Sequence, residues 1–398
     1  MCYTNQKKMR GVFSMNLCDT REVSVKDSYD VIVVGGGIGG VAAAVAAARN
    51  GAKTLLMEKQ INLGGLATVG LINLYEPLCD GKGKKVISGI AEEMIHVSIK
   101  YGMENLPANW GGVGHNYLHH VDRYSSHFSP TLFALALDEY VEENGVQLRF
   151  DAMATYPVMD GNIIQGIMAE TVSGKEFYPC RFVIDATGDA TICVGAGAPT
   201  QEGPNNYCYA VQGYSHAGIE EYMQTGDDCT LRKPTIYSGP RTGSYNADNE
   251  NEFIRTGKKN ILEIYKKTPN NSREIMALPT MPQYRKIRCI VGETTFAAET
   301  EPCADSIGTC GDWRKRGPIH HMPYRTLYNK NFPNLITAGR ITSATGDGWE
   351  ITRVIPVCAL TGQAAGTAAA QCCQTGQNFA TLDVPALQST LKAQGVLF

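Results

Sequence analysis

Three glycines and one glutamate carry the clearest chemical signal in the sequence. Gly35, Gly37 and Gly40 follow the spacing Gly-x-Gly-x-x-Gly, and Glu58 stands at the distance of about 20 residues that this pattern requires. The first glycine permits a tight turn, the second lets a pyrophosphate approach the backbone, and the third lets a helix pack closely on the preceding strand. A carboxylate such as Glu58 accepts hydrogen bonds from ribose hydroxyls and repels a 2′-phosphate. These four residues predict a dinucleotide site.

The segments around the glycines have the patterns of the elements that must position them. Tyr29–Val34 (YDVIVV) is a β-branched run typical of a buried parallel strand. An Ala-rich helix is predicted over 41–50 and stops at Gly51, and Thr54–Met57 supplies the next strand. The free N–H groups and positive dipole at the start of that helix favour phosphate. The order strand, helix, strand predicts a Rossmann unit and an α/β fold.

Small residues at three later places favour FAD over NAD. In 63–68 (LGGLAT), two glycines let the backbone approach a bulky ligand. In 185–190 (DATGDA), small residues let a strand end pass close to an adenosine pyrophosphate. The third is 334–340 (NLITAGR), followed by 361–366 (TGQAAG) on a helix predicted over 356–373. The alternative is a NAD-binding dehydrogenase without flavin, which a colourless protein that binds NADH would indicate.

With these motifs in place, the chain from Tyr29 onward resembles the FAD-dependent oxidoreductases of the glutathione-reductase structural type, and among them a bacterial family of FAD-dependent oxidoreductases. The resemblance also includes 279–292 (PTMPQYRKIRCIVG), 322–327 (MPYRTL) and the GQAAGTA run of the closing helix. Lys286 departs from the family's arginine pattern in the first of these stretches. The resemblance implies fold and cofactor, and it leaves the substrate open.

The resemblance implies where each part of FAD would lie. The pyrophosphate would contact the glycine turn, and the adenosine ribose would contact Glu58. The flavin ring would lie near the second glycine run, Gly64 and Gly65, and near the closing helix. If that helix begins near Pro356, its free N–H groups would stabilise the charge of reduced flavin. The implied cofactor-binding residues are Gly35, Gly37, Ile38, Gly39, Gly40, Glu58, Lys59, Gly64, Gly65, Leu66, Ala67, Thr68, Ala186, Thr187, Gly188, Asp189, Gly339, Arg340, Gly362, Gln363 and Ala364.

Candidate catalytic residues lie in the segment that returns to the predicted FAD-binding domain. They are His320, His321, Tyr324 and Arg325. A histidine can exchange a proton while flavin handles the hydride, and an arginine can clamp a carboxylate. The alternative for each is a structural polar residue at a domain junction.

The composition narrows the possible partners and location. The 398 residues carry a net charge of -3, which favours neither nucleic acid nor an anionic membrane. The sequence has no apolar run of signal-peptide or membrane-spanning length, so a cytoplasmic location is predicted. The 13 cysteines include no Cys-x-x-Cys, which favours reduced, buried thiols over a redox-active pair beside the flavin. His115, His119 and His120 have a spacing compatible with metal ligation, but a solvated loop is favoured and no metal site is predicted.

The predicted fold is α/β, with a Rossmann-type FAD-binding domain and a second, mixed α+β substrate domain. The first domain covers 29–199 and 326–398 and includes a β-hairpin excursion near 150–180, where strands over 146–150, 162–171 and 176–180 return as another over 181–185. A polar extension covers 1–28, and the substrate domain covers 200–325.

The predicted function is that of an FAD-dependent oxidoreductase that transfers a hydride between a small organic substrate and bound flavin. No second Gly-x-Gly-x-x-Gly is present, so no built-in NAD(P)H domain is expected. The alternative is a flavin-bearing electron-transfer subunit of a larger complex, with a redox protein as its partner.

Overall fold

A computed structural model describes residues 22–102, 104–112, 123–203, 205, 207–225, 236–238, 245–267 and 272–398. The histidine cluster of His115, His119 and His120 lies outside these residues. The helices are α1 Ile38–Arg49, α2 Ile90–Ile99, α3 Pro130–Glu143, α4 Thr191–Gly195, α5 His216–Thr225, α6 Ala247–Lys266, α7 Gly346–Thr352, α8 Ile355–Thr375 and α9 Val384–Ala393. The strands are β1 Ser24–Val25, β2 Tyr29–Val34, β3 Thr54–Met57, β4 Leu74–Tyr75, β5 Ser126–His127, β6 Gln147–Arg149, β7 Met153–Asp160, β8 Ile163–Thr171, β9 Gly174–Asp185, β10 Thr200–Glu202, β11 Tyr207–Tyr209, β12 Gln212–Ser215, β13 Ile236–Ser238, β14 Arg273–Ala277, β15 Arg288–Ile290, β16 Ser306–Gly311, β17 Ile319–Pro323 and β18 Leu335–Thr337.

One central sheet organises the chain, with strand order β6-β3-β2-β9-β8-β7. Strands β6, β3, β2 and β9 pair in parallel, and β18 adds to β9 in the same direction. Strands β7 and β8 extend the sheet in antiparallel pairing. Helix α1 connects β2 to β3, which makes the predicted strand–helix–strand unit. The predicted α/β class with a Rossmann-type unit is confirmed.

Strand β9 departs from the sequence prediction by running without a break from Gly174 to Asp185. Its first half pairs with β8 in antiparallel, and its second half pairs with β2 in parallel. Pro179 lies at the junction, where a missing backbone N–H makes the sequence resemble a strand end. Strand β6, predicted as the first strand of the excursion, instead pairs with β3 in the parallel part of the sheet.

Helices α1 and α8 pack against each other under this sheet and are buried along most of their length. Gly362 and Gly366 make the approach possible, because a Cβ at either position would collide with backbone of α1. Ala-rich sequences give both helices narrow surfaces that suit such a close contact. As a result, the first turn of α8 lies near the start of α1.

Two further observations bear on membranes, metals and thiols. Among the described helices, none combines the length and the apolar character needed to cross a bilayer. In the same residues, no group of three or more His, Cys, Asp and Glu side chains could hold a metal ion. The free thiols are Cys79, Cys180, Cys193, Cys289, Cys303, Cys310, Cys358, Cys372 and Cys373.

Candidate functional site

A cavity of about 420 Å³ lies at the carboxyl ends of the parallel strands. Its lining includes Val34 and Met57 at the ends of β2 and β3, and Ala186 and Ala338 directly after β9 and β18. In open α/β sheets, ligands bind in the crevice outside these strand ends. We refer to it as the strand-end cavity.

The glycine turn after β2 forms one wall of the strand-end cavity. Gly35 has φ +100°, and a Cβ there would lie 2.6 Å from the carbonyl oxygen of Ala186. A Cβ at Gly40 would collide with the carbonyl oxygen of Gly35. Gly37 differs from both, because it has φ −67° and no atom lies within 4 Å of the position its Cβ would take. The turn therefore requires glycine for packing at two positions and leaves open space at the third.

Helix α1 begins at this open position. Gly37 is the N-cap, and the first helical hydrogen bond runs from the N–H of Val41 to its carbonyl oxygen. The N–H groups of Ile38, Gly39 and Gly40 precede that bond, and Ile38 and Gly39 line the cavity. No acidic side chain occupies the first turn. The helix N-terminus can therefore bind an anionic group in the cavity through its N–H groups and dipole.

Glu58 borders the same wall from the end of β3. Its Oε2 accepts the N–H of Gly36 at 2.6 Å, and its Oε1 accepts the N–H of Gln60 at 2.8 Å. The side chain is 7% exposed and lines the cavity. Because each carboxylate oxygen can accept a second hydrogen bond, Glu58 is held in place and retains acceptor capacity for a ligand.

The second glycine run continues the wall beside the first. Gly64 and Gly37 form an isolated β-bridge, and the N–H of Gly64 donates to Gly36 at 2.8 Å. Gly65, at φ +55°, begins a short 3-10 turn that ends at Ala67 and lines the cavity. The hydroxyl of Thr68 donates back to the carbonyl oxygen of Leu63. The two glycine runs thus leave backbone, without side chains, facing a ligand.

Arg340 joins two further parts of the wall. Its Nε donates to the carbonyl oxygen of Gly188 at 2.7 Å, and its Nη1 donates to that of Tyr284 at 2.5 Å. Burial lowers the pKa of Arg340, and the carboxylate of Asp189 opposes that shift. The guanidinium therefore fixes the loop after β9 against the segment that contains Tyr284, with its charge close to the cavity.

A tyrosine between two carboxylates was not predicted from the sequence. The hydroxyl of Tyr245 lies 3.3 Å from Oδ2 of Asp189 and 3.1 Å from Oε2 of Glu250. The guanidinium of Arg288 lies 5.0 Å from the centre of the Tyr245 ring. Burial raises the pKa of Tyr245, and the two carboxylates raise it further. Tyr245, Glu250 and Tyr284 line the cavity. The Asn- and Tyr-rich sequence around them contains no motif that predicts this role.

The first turn of α8 borders the cavity through Ile355 and Cys358, next to Arg353. This helix begins at Ile355, one residue before the predicted start at Pro356. Oε2 of Glu76 accepts the N–H of Ile355 at 3.1 Å. A carboxyl group therefore occupies the helix end at which the sequence analysis expected free N–H groups.

Most residues of the predicted cofactor set come together around the cavity. Those that line it are Gly35, Gly37, Ile38, Gly39, Glu58, Lys59, Gly64, Gly65, Leu66, Ala67, Ala186, Thr187, Gly188, Asp189, Gly339 and Arg340. The lining does not include Gly40, Thr68, Gly362, Gln363 or Ala364, all of which are described residues. Gly362 packs against the backbone of Gly39, and Oε1 of Gln363 accepts the N–H of Ile90 at 2.9 Å. These two residues join α8 to α1 and α2.

His320 and His321 lie on β17, and neither belongs to the described lining of the cavity. His320 is 4% exposed, and its Nδ1 lies 3.1 Å from the carbonyl oxygen of Glu299. Its ring meets that of Phe296 edge-on, with centroids 6.0 Å apart. His320 is therefore held in a packed environment beneath the hairpin of β16 and β17.

Tyr324 and Arg325 follow β17, and they too are absent from the described lining of the cavity. The hydroxyl of Tyr324 donates to the carbonyl oxygen of Phe379 at 3.0 Å, and burial raises its pKa. The Nε of Arg325 pairs with Oδ2 of Asp305 at 3.0 Å. Both side chains engage neighbouring parts of the fold.

Comparison with known families adds a match over nearly all of the described chain. The profile of the family described as FAD dependent oxidoreductase matches residues 30–289 and 290–391. This match includes the glycine turn, Glu58 and the closing helix.

Individual proteins are similar over shorter stretches or at low identity. A digeranylgeranylglycerophospholipid reductase of Methanocaldococcus jannaschii is 58% identical over 40 residues, which is 10% of this chain and 10% of that protein. A geranylgeranyl bacteriochlorophyll reductase-like protein from Thermoplasma acidophilum has a TM-score of 0.49 at 15% identity, covering 94% of this chain and 83% of its own. The p-nitrophenol 4-monooxygenase of Pseudomonas putida has a TM-score of 0.47 at 13% identity, covering 93% and 81%.

Proposed function

This chain belongs to the FAD-dependent oxidoreductase family, and on that premise we propose that it transfers a hydride between a small organic substrate and FAD held in the strand-end cavity. Family membership makes the protein an FAD-binding enzyme. The placement of FAD in this cavity, the hydride step and the absence of a built-in NAD(P)H domain are parts of the proposal. So is the assignment to the glutathione-reductase structural type.

The observation that carries the proposal is the open space beside Gly37. A ligand that approaches the start of α1 meets backbone there, since no side chain fills the position of the missing Cβ. Glu58 lies on the same wall with acceptor capacity left for hydroxyl groups. A phosphate site next to a ribose site fits the middle and the adenosine end of FAD.

From these positions the roles of the lining residues follow. The N–H groups at the start of α1 would hold the pyrophosphate, and Glu58 would accept hydrogen bonds from the adenosine ribose. Leu66, Ala67 and Cys358 also line the cavity and would border the flavin ring. When bound, FAD supplies the group that accepts and returns the hydride. The protein orients it and excludes water from it.

Residues from the segment 200–325 also support this arrangement. Tyr245, Tyr284 and Met281 line the cavity together with the glycine turns. We therefore keep the predicted division into a discontinuous cofactor domain, 29–199 with 326–398, and a substrate domain, 200–325. Under this proposal the second domain covers the cofactor and carries the substrate-facing surface.

The proton-transfer and substrate-clamping roles of His320, His321, Tyr324 and Arg325 stay predictions. Arg353 is a further candidate for an anionic substrate, because it lines the cavity at the end where the flavin ring is proposed. Its guanidinium is paired with Glu350 at 2.5 Å, so a substrate anion would share it with that carboxylate.

Anaerobic mixing of the purified holoprotein with candidate donors tests the hydride proposal. Small organic donors are added one at a time, and the visible absorbance of the bound FAD is followed, with free FAD under the same donors as control. Bleaching of the bound FAD by a small molecule, without bleaching of free FAD, supports the proposed enzyme. Reduction only through an added redox protein would contradict it and favour the electron-transfer subunit.

A further inference from the structure

We infer that Glu76 is a positioning residue that sets the reduction potential of bound FAD, and makes that potential depend on pH, by holding a titratable carboxyl group at the start of α8. The inference rests on the proposed placement of the flavin ring beside α8. It assigns a role to a residue that lies outside the described lining of the strand-end cavity.

The geometry at the start of α8 singles out Glu76. The first helical hydrogen bond of α8 runs from the N–H of Cys358 to the carbonyl oxygen of Val354. Of the residues before it, Pro356 has no N–H, and the N–H of Ile355 donates to Glu76. Val357 alone is left in this turn with an N–H for another acceptor. The carboxyl group of Glu76 therefore accepts one of the two N–H groups left at the positive end of a 21-residue helix.

Four charged or titratable side chains interact electrostatically with this carboxyl group. Tyr75 precedes it on β4, and Cys358 faces it from α8. Arg285, between β14 and β15, and Arg353, between α7 and α8, act on it from the other side. Burial raises the pKa of Glu76, while the hydrogen bonds from backbone N–H groups and the two arginines oppose that shift. The carboxyl group therefore takes up its proton at a higher pH than an exposed glutamate does.

The charge of Glu76 and the charge of the cofactor must then influence each other. Reduction adds negative charge to a flavin, and an ionised carboxylate at the same helix end disfavours that charge. A neutral Glu76 does not oppose it, so the helix dipole can stabilise the reduced cofactor. Because the coupling is reciprocal, reduction of the cofactor raises the affinity of Glu76 for a proton from solvent.

The sign of the pH effect follows from the raised pKa of Glu76. Below that pKa the group is neutral and has little effect on the reduction potential. As pH rises through this pKa, Glu76 ionises, and the reduction potential falls further than in a protein without the carboxylate. A merely structural role in capping α8 predicts no such additional pH dependence.

The test compares reduction potentials of the parent holoprotein and E76Q across a pH series, by equilibration with reference dyes. Glutamine keeps a carbonyl oxygen for the N–H of Ile355 and removes the titratable proton. We expect the two proteins to coincide at the acidic end and E76Q to have the higher potential as pH rises. Asp383→Asn is the matched control, since Asp383 accepts the N–H of Ala386 at the start of α9, away from the cavity. The reduction potential of Asp383→Asn should equal that of the parent at every pH.

Coincident potentials of the parent and E76Q at all pH values, or a constant offset between them, would overturn the inference. If E76Q does not retain FAD, E76D supplies the second test, because it keeps the titratable group and should preserve the steeper pH dependence of the parent. Loss of that dependence in E76D, with FAD retained, would equally overturn the role of Glu76. A parent protein that holds FAD away from α8 would instead be recognised by alkylation of Cys358 at the same rate with and without FAD, which tests the proposed function separately.

Discussion

Glu58 holds the glycine turn to which the pyrophosphate is assigned: its Oε2 accepts the N–H of Gly36 at 2.6 Å across the gap between β2 and β3. The other oxygen accepts the N–H of Gln60 at 2.8 Å. One carboxylate therefore shapes the turn and faces the cavity. Under the proposed function, Glu58 would contribute to cofactor binding through the geometry of the phosphate site as well as through contact with a ribose.

Replacement of Glu58 by glutamine should weaken FAD binding. A glutamine side chain has one acceptor oxygen, so it cannot serve the N–H groups of Gly36 and Gln60 and two ribose hydroxyls together. Hydrogen bonds to a charged group contribute about 1.5–3 kcal/mol, which corresponds to a rise in Kd of roughly tenfold to a hundredfold. Titration of the apoprotein with FAD, monitored by flavin fluorescence, measures the Kd. Glu170→Gln, on β8, is the control, and equal affinities of both variants would refute the role of Glu58.

Removal of the Tyr245 hydroxyl should destabilise the fold modestly. The hydroxyl bridges Asp189 and Glu250, so Tyr245→Phe leaves two buried or half-buried carboxylates without their shared donor. We expect the free energy of unfolding to fall by about 1 kcal/mol. Urea denaturation measures the change. Tyr265→Phe is the control, because the Tyr265 hydroxyl is buried without a hydrogen-bond partner among the described residues. Equal stabilities of the two variants would show that the bridge contributes nothing.

Cys358 offers a test of ligand position that needs no mutation. Its thiol lines the cavity, and burial raises its pKa to about 12, so alkylation of the apoprotein should be slow and should accelerate as pH rises. Bound FAD should protect it. Cys373, near the far end of α8 and outside the described lining, has a pKa raised to about 11 by burial and should be alkylated at the same rate with and without FAD. Mass spectrometry after timed alkylation reads both sites, and an FAD-independent rate at Cys358 would place the flavin elsewhere.

The fold was predictable where short-range patterns dictate it. The β-branched run of β2, the glycine turn and the Ala-rich α1 each follow from local sequence, and together they predict the parallel unit. Strand β9 was not predictable in full, because its two halves have different partners and Pro179 resembles a strand end. Pairing partners of that kind are set by the whole sheet, so local sequence does not indicate them.

The candidate site was predictable for the glycine turns and for side chains that adjoin a motif, such as Glu58 and Arg340, and not for the side chains contributed by the segment 200–325. Gly37 and Gly65 belong to glycine motifs that can be recognised in the sequence, because the close approach of a ligand or of the backbone requires glycine there. Tyr245 and Glu76 carry no such pattern, because they reach the site through long-range packing. Their residue types also suit ordinary surface and core positions.

Replacement of Gly37 by valine is the sharpest test of the proposed pyrophosphate site at the start of α1. Gly37 has φ −67° and ψ 176°, an extended conformation that valine adopts readily, and its Cβ would enter open space. The apoprotein should therefore still fold, at a small cost for valine at the N-cap of α1, while the new side chain occupies the proposed place of the pyrophosphate. We predict that Gly37→Val purifies without FAD and does not bind it on titration, and that Gly37→Ala binds it more weakly than the parent. A Gly37→Val protein that binds FAD as tightly as the parent would contradict the account.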